Sequence, residues 1–136
     1  MTAKINFTSN TIDIGIVTTN DFEMLHFYQE VLGFDKEIEI PFPGLGTVNK
    51  LNYGSGYIKI LVLENEPDNE NPVGDFSTSN GIRYITINLS NLDEVINECS
   101  KSNINIINSG TSIRPGVVIG LIEDPDGNLI ELMQAD

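Results

Sequence analysis

Glu131 stands in the middle of an apolar strand, in the stretch EDPDGNLIELMQ that spans residues 123–134. A carboxylate in a half-buried strand costs free energy unless a metal, a basic side chain, a ligand or water meets it. Lys59 in YIKIL raises the same question with the opposite charge, and Asp13 in IDIGI repeats it. The chain has one histidine, His26, and one cysteine, Cys99. A single chain therefore cannot build a two-histidine iron site or an internal disulfide. Cys99 falls on an apolar helical stripe and reads as inert core. His26 falls on the flank of the first helix, away from the strands.

The elements that must position these groups follow from period and punctuation. Ile12–Thr18 alternates and is β-branched, the pattern of a strand. Thr19 or Asn20 can cap a helix over Asp21–Leu32, with Phe22, Leu25, Tyr28, Val31 and Leu32 on one face. Gly33 ends it as a left-handed C-terminal glycine. Strands are expected near Phe34–Ile40, Thr47–Tyr53 and Tyr57–Leu63. The stretch ENEPDNENPVGDFSTSN, residues 64–80, is acidic and rich in Asn, Pro and Ser, and reads as a connector.

After the connector the plan repeats. Ile82–Leu89 reads as a strand and Asn91–Ser100 as a helix capped by Ser90 or Asn91, with Leu92, Val95, Ile96 and Cys99 on one face. Strands near Ile104–Asn108, Val117–Glu123 and Asn128–Gln134 complete it. Aligning IDIGI with RYITI sets Asp13 against Tyr84, 71 residues apart; aligning YIKIL with LIELM sets Lys59 against Glu131, 72 apart. Two alignments agreeing within one residue argue for an internal βαβββ duplication. The fold class is α+β, one domain over 1–136, with modules at 11–63 and 81–134.

The opening IDIGIVTTNDFEMLHFYQEVLGFD and the close EDPDGNLIELMQ resemble the vicinal oxygen chelate superfamily. That group includes glyoxalase I, bleomycin-resistance proteins and extradiol dioxygenases. The FYxxVLGF stretch (Phe27, Tyr28, Val31 to Phe34) and the DPDGN-hydrophobic-Glu stretch carry the resemblance, which runs from about Ile12 to Gln134. It implies a cupped sheet with helices outside, a site on the concave side, and a homodimer. Metal-dependent members take ligands from four strand positions, usually His, Glu or His, His, and Glu. Carried over, these fall on Asp13, Lys59, Tyr84 and Glu131, and only Glu131 matches the usual type.

Those departures have chemical consequences. A Lys59 ammonium has no lone pair and repels a cation, and a protonated tyrosine is a weak ligand. Asp13 and Glu131 alone would offer a hard ion such as Mg²⁺ two carboxylates and otherwise water. If alternation holds, Asp13, Lys59, Tyr84 and Glu131 share the concave face, while Ile12, Ile14, Ile58, Ile60, Ile85, Ile130 and Leu132 face the helices. The expectation is an ion cluster in place of the metal, with no cofactor: Lys59 between Asp13 and Glu131, and the Tyr84 hydroxyl donating to a carboxylate. Deep burial would make loss of one member cost about 3–5 kcal/mol. Arg114, in a loop that borders the cup in relatives, is a further ligand-binding candidate. Arg83 reads as structural or rim. Phe42, Tyr53, Tyr57 and Phe76 supply aromatic surface that together would line an apolar pocket. Asp124 and Asp126 read as turn residues, with Gly127 at the positive-φ position.

Composition sets the bounds on function. Forty per cent apolar and 20 per cent charged residues suit a soluble globular protein. No run is long enough to span a bilayer, and the N-terminus lacks an apolar signal region, so the chain is expected in the cytoplasm. Seven Lys and Arg against 20 Asp and Glu give a net charge of −13. That excludes nucleic acid as a partner and favours solubility, with a cationic small molecule as the sharper reading. The leading expectation is metal-free small-molecule binding, as in the bleomycin-resistance branch. Two readings stand beside it: a lyase or isomerase of the glyoxalase I type with Glu131 as ligand or base, and a regulatory module with a vestigial cup.

Overall fold

A computed structural model describes residues 3–136. The described residues form two compact units, one from residues 3–19 and 34–65, the other from 20–33 and 66–136. The first holds strands β1 (Ile14–Thr18), β2 (Lys36–Phe42), β3 (Gly46–Tyr53) and β4 (Gly56–Leu63). They form one sheet in the order β1-β4-β3-β2, with β1 parallel to β4 and the other pairs antiparallel. Alternation is clear along β4, where Ile58 and Ile60 are buried and Tyr57, Lys59 and Leu61 are partly open. Along β3 the buried positions are Gly46, Asn49 and Leu51. Asn49 keeps its amide satisfied there by donating to the Ile60 carbonyl at 3.2 Å.

The second unit holds helix α1 (Asp21–His26), continued by a π-helical turn over Phe27–Val31, then β5 (Tyr84–Asn88), α2 (Leu92–Lys101), β6 (Ile106–Arg114), β7 (Val117–Glu123) and β8 (Leu129–Ala135). Its sheet has the order β5-β8-β7-β6, with β5 parallel to β8. Met24, Phe27, Tyr28, Leu92, Cys99, Ile122, Ile130 and Leu132 are its most deeply buried side chains. The two sheets repeat one topology, so the molecule is an α+β fold of two βαβββ modules. The register repeats too. Gly15 faces Lys59 in the first sheet and Thr86 faces Glu131 in the second, which reproduces the 71- and 72-residue offsets seen in the sequence.

Several local expectations change. Ile12 is 88 % exposed and precedes β1, because the Asp13 carboxylate takes the Tyr57 backbone N–H at 3.0 Å and ends the pairing there. Ile82 is 95 % exposed and lies outside β5. The first helix does not run uniformly to Leu32. From Phe27 it widens, and the Leu32 N–H reaches the Phe27 carbonyl at 2.9 Å. Neither helix is capped by its own N-cap side chain. The Leu92 N–H at the start of α2 instead donates to the Gln134 side-chain carbonyl at 2.8 Å. β6 runs six residues past the expected end, as an edge strand with three register shifts, and so carries Arg114 in a strand rather than a loop.

Candidate functional site

In the first unit the open face of the sheet gathers Asp13, Lys59, Tyr57, Lys50 and Glu37. Lys59 and Tyr57 point to one side because they alternate with buried Ile58 and Ile60. The Lys59 Nζ lies 3.4 Å from Asp13 Oδ2, while Asp13 Oδ1 accepts from the Tyr57 backbone. Both side chains of the pair are more than a third exposed, 40 % for Lys59 and 37 % for Asp13. The deep burial expected for this cluster is therefore absent, and the pair belongs with exposed ion pairs worth about 0–1 kcal/mol. The Tyr57 hydroxyl donates to Glu37 Oε2 at 2.8 Å, and that bond raises its pKa above the ordinary 10.0. Lys50 Nζ sits 4.0 Å from the centre of the Tyr57 ring, a cation-π contact.

In the second unit Glu131 is half-buried between cross-strand neighbours Thr86 and Leu121. Its Oε1 accepts from the Thr86 hydroxyl at 2.9 Å. Thr86 was not among the residues singled out from sequence; its signal was alternation along RYITI, which puts it beside Tyr84 on one face. Tyr84 is 48 % exposed and packs its ring against Phe76 at 4.7 Å. Among the described residues its hydroxyl donates to no carboxylate, so that part of the expected cluster is not formed. Phe76, in a short 3-10 turn at Phe76–Thr78, gives the connector a packing role that its composition hides. Arg83 ties the same segment down, donating to the Pro72 carbonyl at 2.8 Å and to Thr78 Oγ1 at 3.3 Å. Arg114 is exposed at the end of β6, opposite Val117.

Sequence reasoning missed one buried carboxylate. Asp124, read as a plain turn residue, is only 4 % exposed. Its Oδ1 accepts from the backbone N–H groups of Asp126 and Asn128, and its Oδ2 from the Asn128 amide and, at 2.7 Å, from the Tyr28 hydroxyl. Burial raises its pKa above the ordinary carboxylate value, although these hydrogen bonds oppose the shift. Tyr28 is pushed well above 10.0 by burial and by the Asp124 charge. The bond joins FYxxVLGF to DPDGN, the two motifs that carry the resemblance. A family model of the Glyoxalase/Bleomycin resistance protein/Dioxygenase superfamily matches residues 10–132.

The chain belongs to that superfamily.

Solved structures agree on the fold. A glyoxalase family protein from Enterococcus faecalis is 23 % identical, with a TM-score of 0.75 over 94 % of this chain and 99 % of its own. A glyoxalase family protein from Bacillus cereus is 14 % identical, with a TM-score of 0.83 over 99 % of each chain. The trypanothione-dependent glyoxalase I of Leishmania major is 20 % identical, with a TM-score of 0.69 over 93 % of this chain and 87 % of its own. No curated protein matches the sequence. At these identities the likeness speaks for the superfamily fold and leaves the chemistry to the residues. Among the described residues no three His, Cys, Asp or Glu side chains come together in a group able to hold a metal ion. No helix among them is long and apolar enough to cross a membrane.

Proposed function

We propose that this superfamily member binds a small molecule on its open sheet faces without a metal ion. The observation that carries the reading is Lys59. It occupies a position that supplies a metal ligand in relatives, and its ammonium is ion-paired to Asp13, at another such position, 3.4 Å away. A divalent ion at that point would meet a positive charge with no lone pair to offer. The residues therefore do not fit the metal of the glyoxalase I type. Each unit is taken by itself: the ligand contacts proposed in the first are Asp13 and Lys59, and those proposed in the second are Tyr84, Glu131 and Arg114. The chain acts as a homodimer in the cytoplasm on this reading.

Glu131 keeps a second reading open, because it is a half-buried carboxylate with a hydroxyl donor fixed 2.9 Å away. Such a group can move a proton on a bound molecule. An assay with a hemithioacetal substrate, with and without added Ni²⁺ or Zn²⁺, separates the readings. Binding alone predicts no turnover above background in either condition. Robust metal-stimulated turnover that is lost in Glu131→Gln would replace it with the lyase reading.

A further inference from the structure

Two lysines on the first sheet face each other as direct cross-strand partners: Lys50 on β3 and Lys59 on β4. Direct partners in an antiparallel pair hold their Cβ atoms about 5 Å apart, and like charges placed so are destabilising. The chain has only seven Lys and Arg against 20 acids. Acidic partners for two lysines were therefore plentiful, yet these two stand together. Lys59 has Asp13 at one side. Lys50 has the Tyr57 ring beneath it and, among the described residues, donates to no oxygen. An ammonium carries three donors, so both lysines keep donors to offer. Gly15 is the partner of Lys59 on β1, and a Cβ built there would meet nothing within 4 Å. The space beside Lys59 is open.

The next row of the same face is aliphatic across all four strands. Ile40 faces Val48, Val48 faces Leu61, and Leu61 faces Val17. Val17 is 56 % exposed. A cationic row thus lies against an apolar row, two residues along the strands. We infer that Lys50 and Lys59 hold the anionic head of an amphipathic organic acid, a carboxylate or a phosphate ester, whose apolar body lies along Val17, Leu61, Val48 and Ile40. The inference rests on the binding reading above and names its ligand class. It also revises the cationic ligand suggested by the net charge, since a bound molecule meets the local charges first. The ligand anion supplies Lys50 with a counter-charge.

The test is calorimetric titration of the full chain with octanoate, octyl phosphate, octanamide and octyltrimethylammonium. Saturable binding of octanoate, octyl phosphate or both is expected, the tighter of the two naming the head group. The neutral and cationic probes should bind at least tenfold more weakly. Lys50→Gln should weaken the anion on the order of tenfold, the size of one lost charged hydrogen bond, and Lys50→Arg should restore most of it. Among the described residues Lys50 is in no ion pair, so these variants leave the Asp13–Lys59 contact intact, and circular dichroism confirms the fold. Octanamide binding as tightly as octanoate, or indifference to Lys50→Gln, would overturn the lysine assignment while leaving metal-free binding in place. Failure of both anions to bind would overturn it too. Stoichiometric metal in the same dialysed sample would instead overturn the reading beneath it.

Discussion

Tyr28 and Asp124 lie 96 residues apart and meet through one hydrogen bond of 2.7 Å. Removing the Asp124 carboxylate leaves the Tyr28 hydroxyl, the Asn128 amide and two backbone N–H groups without their acceptor. Asp124→Ala should therefore lower unfolding free energy by about 3 kcal/mol, and Tyr28→Phe by about 1–2 kcal/mol, in urea titrations. The pH dependence has a definite sign. Asp124 has a raised pKa when folded. Its proton-linked contribution is full below the unfolded value and is lost as pH rises through the folded one. The penalty of Asp124→Ala should grow as pH falls through the carboxylate range; a penalty that shrinks would contradict the burial argument. Cys99 is fully buried, and burial pushes its thiol up to about 11. A disulfide reagent such as DTNB should label it only after denaturant is added.

Elements set which of these residues was legible. Strand alternation is visible at Lys59 and Glu131 because each sits between buried neighbours, Ile58 and Ile60 in one strand and Ile130 and Leu132 in the other. Helix starts were harder. Ser90 and Asn91 have cap chemistry, yet the Leu92 N–H is met by Gln134 from the last strand, 42 residues away. A local rule cannot see a donor satisfied through tertiary structure. Gln134→Ala should cost about 1 kcal/mol, and urea titration of that variant measures it. The five-residue turn between β7 and β8 shows the opposite case. Gly127 was expected at positive φ and has φ 86°, and a Cβ there would come 2.6 Å from Val73. Gly127→Ala should destabilise by more than the usual 1 kcal/mol for a misplaced Cβ, since Val73 must also move.

For the whole molecule, the duplication was legible because strand pairing preserves spacing. The offsets of 71 and 72 residues reappear as matched register, Gly15 with Lys59 and Thr86 with Glu131. The partnerships of the side chains were less legible, because a face can be read from alternation while a distance cannot. Asp13 and Lys59 are brought together, Glu131 takes a hydroxyl from Thr86, and Tyr84 takes a ring from Phe76. The net charge of −13 also gave an incomplete guide, since it averages over a surface on which Lys50 and Lys59 stand side by side. The homodimer expected from the resemblance belongs to this scale. Light scattering on the eluting protein should give twice the 15.0 kDa chain mass.

On the proposed reading, Lys59 excludes the metal of the glyoxalase type. Its most direct test is metal content by mass spectrometry after the purified chain is incubated with Ni²⁺ or Zn²⁺ and then dialysed. Far less than one ion per chain is expected, unchanged in Glu131→Ala. One ion per chain, lost in Glu131→Ala or Asp13→Ala, would contradict it.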